Sequence, residues 1–523
     1  MLSALSMALV RPAAAGDVRA DFDLEITPDI QAVLDAISAD SLRGHLSFIA
    51  SDMLAGRDTP SPGLDIAAEY IAAHFRRAGL EPAGDDGYFQ TANWEMRLPA
   101  ADDFRLVIRA GVRSITTPLD QASVQASETL EIGSARLFKV DYADADALAA
   151  LTADEVGGKV VFTEAPDVRN VGRDQRREVF MAQRAFGRRM AELNVAMVLF
   201  VDRVNAAGTG FGRPALIDPE NPFPRGGFRS GVPQITSHHP DVVALYDRSA
   251  PGDVDATVSA SIGEAVGTPV KLRNVIGLLP GSDPALKDTY VLITGHYDHV
   301  GVRADLPAGE DNIFNGANDD GSGTVSVMEL AAALSRLEPR PRRSIIFMCV
   351  FGEEKGLLGS RFYGRHPVFP IEKTVADVNL EQVGRTDSTE GPQIGNASLT
   401  GIDFSEVGEI FMLAGEKTDI SVYKHERNSD AFFGRSDNQA LADQGVPAHT
   451  ICVAYEYPDY HGAGDHWDKV DYENMAAVNR MVALGILMIA NADAEPRWNA
   501  DNEKAARYIE AWRERRGIQT PEP

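Results

Sequence analysis

Tyr290-Val-Leu-Ile-Thr-Gly-His-Tyr-Asp-His299 begins as an apolar run and ends in two imidazoles and a carboxylate. An unbroken apolar run of this length reads as a strand buried on both faces, as in parallel sheets. The same shape recurs downstream. Ser344-Ile-Ile-Phe-Met-Cys-Val-Phe-Gly is followed by Glu353 and Glu354, Val375-Ala-Asp-Val-Asn-Leu by Glu381, and Thr450-Ile-Cys-Val-Ala-Tyr455 leads on to His461. Asn318-Asp-Asp-Gly-Ser-Gly323 opens a helical pattern, in which Val327, Leu330, Ala331 and Leu334 mark an apolar face. Strands alternating with helices over Asn274 to Ala494 imply βαβ units. The expected fold class is therefore α/β, a mixed, mostly parallel sheet with helices on both faces. Ligands of such sheets bind at the carboxyl ends of the strands, which is where these His, Asp and Glu residues fall.

A chain of 523 residues is too long for one core and implies two or three domains. Hydrophobic residues at 44% and charged residues at 24% are those of a globular protein. A net charge of −27 argues against nucleic acid, because phosphate binding needs a basic face. The two cysteines, Cys349 and Cys452, each lie in an apolar run and read as small buried hydrophobes, with a disulfide open if their strands are neighbours. No Cys/His cluster suits a structural zinc finger.

Leu2 to Val10 is a short apolar run followed by Pro12-Ala13-Ala14-Ala15-Gly16, in the manner of a secretory signal. Residues 1–15 are expected to be a signal peptide, which implies a periplasmic or secreted protein. No later stretch reads as a stable membrane insertion. Asp29 to Gly79 reads as mostly helical, with Ala67, Ile71, Phe75 and Ala78 on a 3.6 period before the stop at Gly79. From about Thr116 the character changes. Short β-like runs (Lys159 to Thr163, Ala196 to Val201, Val232 to Thr236), a basic helical segment (Arg173 to Leu193) and a Pro/Gly-rich loop (Gly208 to Pro224) suggest a smaller β-rich domain. His238 and His239 there read as a turn before Pro240. The expected division is 28–115 and 266–495 for the main domain, 116–265 for the insertion and 496–523 for a helical tail.

Imidazole and carboxylate both suit zinc. Two such ions side by side need five or six ligands with one shared, plus a carboxylate to take a proton from the attacking water. Two adjacent glutamates suggest a ligand beside that base. Singly, each residue has an ordinary reading: Asp319 as a helix N-cap, Glu353-Glu354 as a solvated pair, His296 as a surface residue. Together and in order they form a metal-site inventory.

Five segments carry a resemblance. They are Gly295-His-Tyr-Asp-His-Val-Gly301, Gly316-Ala-Asn-Asp-Asp-Gly-Ser-Gly323, Phe351-Gly-Glu-Glu-Lys-Gly-Leu-Leu-Gly-Ser360, Asn379-Leu-Glu-Gln-Val-Gly-Arg385 and Tyr460-His-Gly-Ala-Gly-Asp-His-Trp-Asp-Lys-Val-Asp471. In order and spacing they are similar to the M28 family of co-catalytic zinc peptidases, which includes bacterial aminopeptidases and glutamate carboxypeptidases. Phe48 to Arg57 resembles the N-terminal part of such proteins, and the middle domain resembles a protease-associated (PA) insertion. The resemblance implies two Zn²⁺ ions and peptide substrates. His296 and Glu381 would be terminal ligands of the first metal, Asp319 the bridge, and Glu354 and His461 ligands of the second. Glu353 matches the general base. Asp298 would orient His296, and Tyr460 matches a tyrosine that hydrogen-bonds the oxyanion. Asp320 is implied to be a neighbour rather than a ligand. His299 and His466 match no ligand, and Arg57 is a possible partner of a site carboxylate.

This chain departs from the family pattern at two places. Glu381 stands where aminopeptidases of the family carry Asp, and in related enzymes Glu there accompanies substrates without a free α-amine. Asn438 replaces a common His. The leading expectation is an exported two-zinc aminopeptidase. The alternatives are a carboxypeptidase, dipeptidase or aminoacyl cyclotransferase of the same fold, or a non-catalytic PA-domain binding protein. No Gly-x-Ser-x-Gly and no HExxH is present.

Overall fold

The strand predicted at the start of the decisive stretch is Tyr290–His296, and every residue in it is buried. The structure, a computed structural model, describes residues 18–99, 103–125, 129–167, 173–204, 210–211, 215–220, 232–303 and 309–518. The expected signal peptide lies outside these residues, as does most of Gly208 to Pro224. The chain divides into two compact units, one of residues 1–92 and 271–523, the other Asn93–Val270.

The first unit contains a mixed sheet. Its main strands are β1 Phe89–Pro99, β2 Ala265–Leu279, β3 Tyr290–His296, β4 Ser344–Val350, β5 Thr374–Leu380, β6 Asn396–Leu399, β7 Ser421–Tyr423 and β8 Ala448–Cys452. Their spatial order is β1-β2-β4-β3-β5-β8-β6-β7. The central β4-β3-β5-β8 block is parallel, with His296 opposite Val350 and Thr294 opposite Asn379. β2 and β6 join it antiparallel on either side.

Because side chains alternate across a strand, the two faces of the block pack differently. Leu292, Ile346 and Met348 share a core with Leu441, Trp498 and Tyr508. Phe347 points the other way, its ring 6.4 Å from that of Phe75. Helices α1 Pro28–Ala36, α2 Ala39–Ile49, α3 Pro62–Ala78, α4 Ser322–Leu334, α5 Leu358–Arg365, α6 Val407–Thr418, α7 Tyr472–Asn491 and α8 Ala506–Arg515 are the longer helices of the unit. The helix predicted with one apolar face, α4, is buried on nearly all sides. It lies between strands β3, β4 and β5 and helices α1, α2, α3 and α7, so polar positions such as Ser326 bond inward, here to Asn479. α7 is long and apolar enough to cross a bilayer, but 83% of its apolar window is buried within the protein. The 496–523 tail adds to this same core through Trp498, Ala505 and Tyr508. Cys349 and Cys452 are both free and buried. Their strands, β4 and β8, are separated by β3 and β5, which excludes the disulfide.

Among the described residues, the second unit contains a nine-stranded sheet and four helices, including Arg173–Glu192 and Pro240–Arg248. Alternation is again visible. Phe162 and Leu199 enter one core with Leu106, Val258 and Tyr246, while Val161, Val198 and Phe200 enter another with Phe186 and Met190. Arg105–Ala110 and Arg113–Thr116, expected in the main domain, belong to this unit: the first pairs with Gly252–Ile262 and the second pairs with the first. His239 is an N-cap, its Nδ1 accepting from the Asp241 amide.

Candidate metal centre

The carboxyl ends of β3, β4 and β5 lie side by side, and this places the site. His296 is the last residue of β3, Glu353 follows β4 by three residues, and Glu381 follows β5 directly. Asp319 comes from the turn that enters α4, where the peptide to Asp320 is cis. His461 comes from the long segment after β8.

Asp319 occupies the centre. Its Oδ1 lies 3.5 Å from His296 Nε2, and its Oδ2 lies 2.9 Å from His461 Nε2. His296, Asp319 and Glu381 each place a donor atom within 4.8 Å of the others, and so do His299, Asp319 and Glu354. Glu354 Oε2 is 3.4 Å from His461 Nε2, and Glu354 Oε1 is 2.7 Å from His299 Nδ1. Glu353 Oε2 is 3.9 Å from His296 Nε2. The structure thus brings together all five sequence-predicted ligands and the predicted base. It adds His299, which matched no ligand by position.

These residues fit a divalent cation. His296 Nε2, both ring nitrogens of His299 and Glu354 Oε1 are buried without a hydrogen-bond partner. Leaving such an atom unpaired costs about 1–3 kcal/mol, and a cation accepting the lone pairs removes that cost. The charges agree. Burial opposes a proton on His296, but Asp298 and Asp319 override it and push the imidazole well above its ordinary pKa. Burial likewise opposes a charge on His461, and Asp319 and Glu354 raise it to about 10. Burial would raise Glu354, but His299 and His461 hold it down to about 2. Burial raises Glu381 to about 7, against the pull of His296. Burial also lifts Glu353 well above the usual carboxylate range, His296 opposing and the carboxylates of Glu381 and Glu354 adding to it.

A further layer fixes the donors. Asp298 sits beside His296, with Oδ1 3.5 Å from Nδ1, and accepts from the Glu353 amide and the Thr59 hydroxyl. Asp320 is not a ligand: it accepts from the amides of His296, Gly323 and Gln382, tying three loops together. Asp465, on the His461 segment, accepts from the Asn318 and Asp319 amides and from Tyr457 Oη. Sequence reading gave Asp465 no role, because its partners are backbone groups far away in the chain. Asn438, in place of the family's His, accepts from Thr450 Oγ1 and donates to the carbonyls of Phe433 and Ala448. Thr450 in turn accepts from Asn379, which also donates to Ser436 beside Glu381. Asn438 therefore braces the floor of the site. Arg57 does not pair with a site carboxylate. It donates to the carbonyls of Tyr297, Ile49, Asn315 and Gly316. His466 lies apart, 3.3 Å from Asp311.

Tyr460 stacks on the His461 ring at 4.2 Å. Burial, with Asp319, Glu381 and Glu354 nearby, raises its phenol far above the ordinary value, so it is a neutral O–H donor.

The α/β sheet thus carries buried histidines and carboxylates at its carboxyl edge, with orphaned donors converging on a shared aspartate, an arrangement that fits a divalent cation. Residues 274–486 match the model of Peptidase family M28. A protein of Pyricularia oryzae described as a probable zinc metalloprotease is 30% identical over 43% of this chain and 44% of its own length. One of Pyrenophora tritici-repentis with the same description is 37% identical over 46% of this chain and 57% of its own length. The chain thus spans about half the length of these relatives. The solved aminopeptidase from Aneurinibacillus sp. strain AM-1 shares the fold over 89% of this chain and 97% of its own, with a TM-score of 0.55 and 20% identity.

Proposed function

We propose that this protein is a two-zinc exopeptidase that removes N-terminal residues from peptides. The observation that carries the reading is Asp319, whose two carboxylate oxygens face separate histidine–carboxylate clusters. His296 and Glu381 would hold one ion with it, and Glu354 and His461 the other. Zinc bound there supplies a Lewis acid for the peptide carbonyl and brings a water's pKa toward neutrality.

The remaining steps belong to the chain. Glu353 has a raised pKa and lies beside His296, so it takes the attacking water's proton and returns it to the leaving amine. Tyr460, kept neutral, donates its phenolic hydrogen to the developing oxyanion. Asp298 holds the His296 ring in place. The description of the Aneurinibacillus structure as an aminopeptidase supports the amino-terminal direction. Glu381, one methylene longer than the family's Asp, favours a second reading in which the substrate lacks a free α-amine.

The deciding experiment offers the zinc-loaded protein a peptide series in free and N-acetylated form. Cleavage of the free forms alone is expected. Equal cleavage of both, or release of the carboxyl-terminal residue first, would move the assignment to a carboxypeptidase or dipeptidase. Residues 1–15 are further proposed to direct export, to the periplasm or medium. N-terminal sequencing of exported protein should begin just beyond Ala15, and a retained Met1 would refute it. The second unit is proposed to be a PA-type domain.

A further inference from the structure

We infer that His299 is a fourth protein donor at the second metal position, beside Asp319, Glu354 and His461. The inference rests on the two-zinc reading above and makes the two positions unequal. The first has one imidazole, from His296; the second has two.

His299 is completely buried. A buried imidazole ordinarily hydrogen-bonds through at least one nitrogen, yet neither of its nitrogens has a hydrogen-bond partner. Its Nδ1 stands 2.7 Å from Glu354 Oε1. His299, Asp319 and Glu354 converge within 4.8 Å even without His461. The rings of His299 and His461 lie edge to face at 5.6 Å, one within the fold and one 41% exposed at its side chain. The slot for the inner ring is built in. Gly316 has φ +56°, and a Cβ there would fall 2.3 Å from His299 Cγ.

Zinc K-edge X-ray absorption tests this on wild-type protein loaded with two zinc ions. Three imidazoles per two zinc ions are expected, and two would overturn the inference. In His299→Ala the count should fall to two, and the second zinc should bind more than about 100-fold more weakly. That exceeds the usual loss when a residue merely steadies a ligand. An unchanged count, or two zinc ions bound as tightly as in wild type, would overturn it. If His299→Ala does not fold, the wild-type count still decides. Failure of the wild type to take up two zinc ions would instead refute the two-zinc reading itself.

Discussion

Glu353 and Glu354 are adjacent in the chain and face different partners. The Glu353 amide is held by Asp298 and its carboxylate approaches His296, while Glu354 reaches His299 and His461. Burial leaves the first ready to carry a proton, and the neighbouring imidazoles keep the second ionised. Glu353→Gln is therefore expected to keep its zinc and fold but lose about 10²–10⁴-fold in turnover, whereas Glu354→Gln should lower zinc occupancy. Elemental analysis beside kinetics checks this, and the opposite pattern would exchange the two roles. The pair's place after a buried strand was legible in sequence, because an apolar run ending in acids has few other readings. His299 was not: it is three residues past its strand, and Glu354 becomes its neighbour only when β3 and β4 pair. Asp465 was hidden for a similar reason, since the amides it holds, those of Asn318 and Asp319, lie far away in the chain.

At the scale of elements, the N-terminal helices matter through the loop between them. Arg57, at φ +50°, is fully buried and gives its guanidinium to four carbonyls, from the end of α2, the loop after β3 and the loop before α4. Lys355, next to the glutamate pair, donates to the Thr59 carbonyl and pairs with Asp58 at 2.8 Å. The segment from Asp52 to Thr59 thus clamps three of the loops that carry the site. Helical periodicity located α3, but a polar loop carries no periodic signal, and one arginine among carboxylates reads more readily as an ion pair. At the far side of the clamp the α4 entry packs equally closely, since a Cβ on Gly323 would lie 2.1 Å from the Leu380 carbonyl oxygen. Arg57→Lys keeps the charge but not the planar fork. It should strand at least two buried carbonyls, at about 1–3 kcal/mol each, and weaken zinc binding as the loops loosen. Urea denaturation and zinc titration of this variant should move together, and an unchanged midpoint would refute the clamp.

Across the whole molecule the acidic excess of 27 charges has a focus at the metal centre, where Asp319, Glu353, Glu354, Glu381 and Asp437 are gathered around the imidazoles. Burial raises Glu381 to about 7 and Asp437 to about 6. An acid raised on folding keeps its proton in the folded state after the unfolded chain has lost it. Its stabilising contribution is complete below the unfolded value and is lost as pH rises through the folded one. The metal-free protein should therefore forfeit stability from this site between about pH 4.5 and 7, on the order of 3 kcal/mol for Glu381 alone. Zinc reverses the sign, because it needs the carboxylates ionised and binds only the folded state. The zinc-induced rise in thermal midpoint, measured against chelator-treated protein, should accordingly be larger at pH 7.5 than at pH 5.5. A rise that was constant across that range, or larger at the acid end, would show that protons and zinc do not compete for Glu381 and its neighbours, and would exclude these carboxylates as the donors.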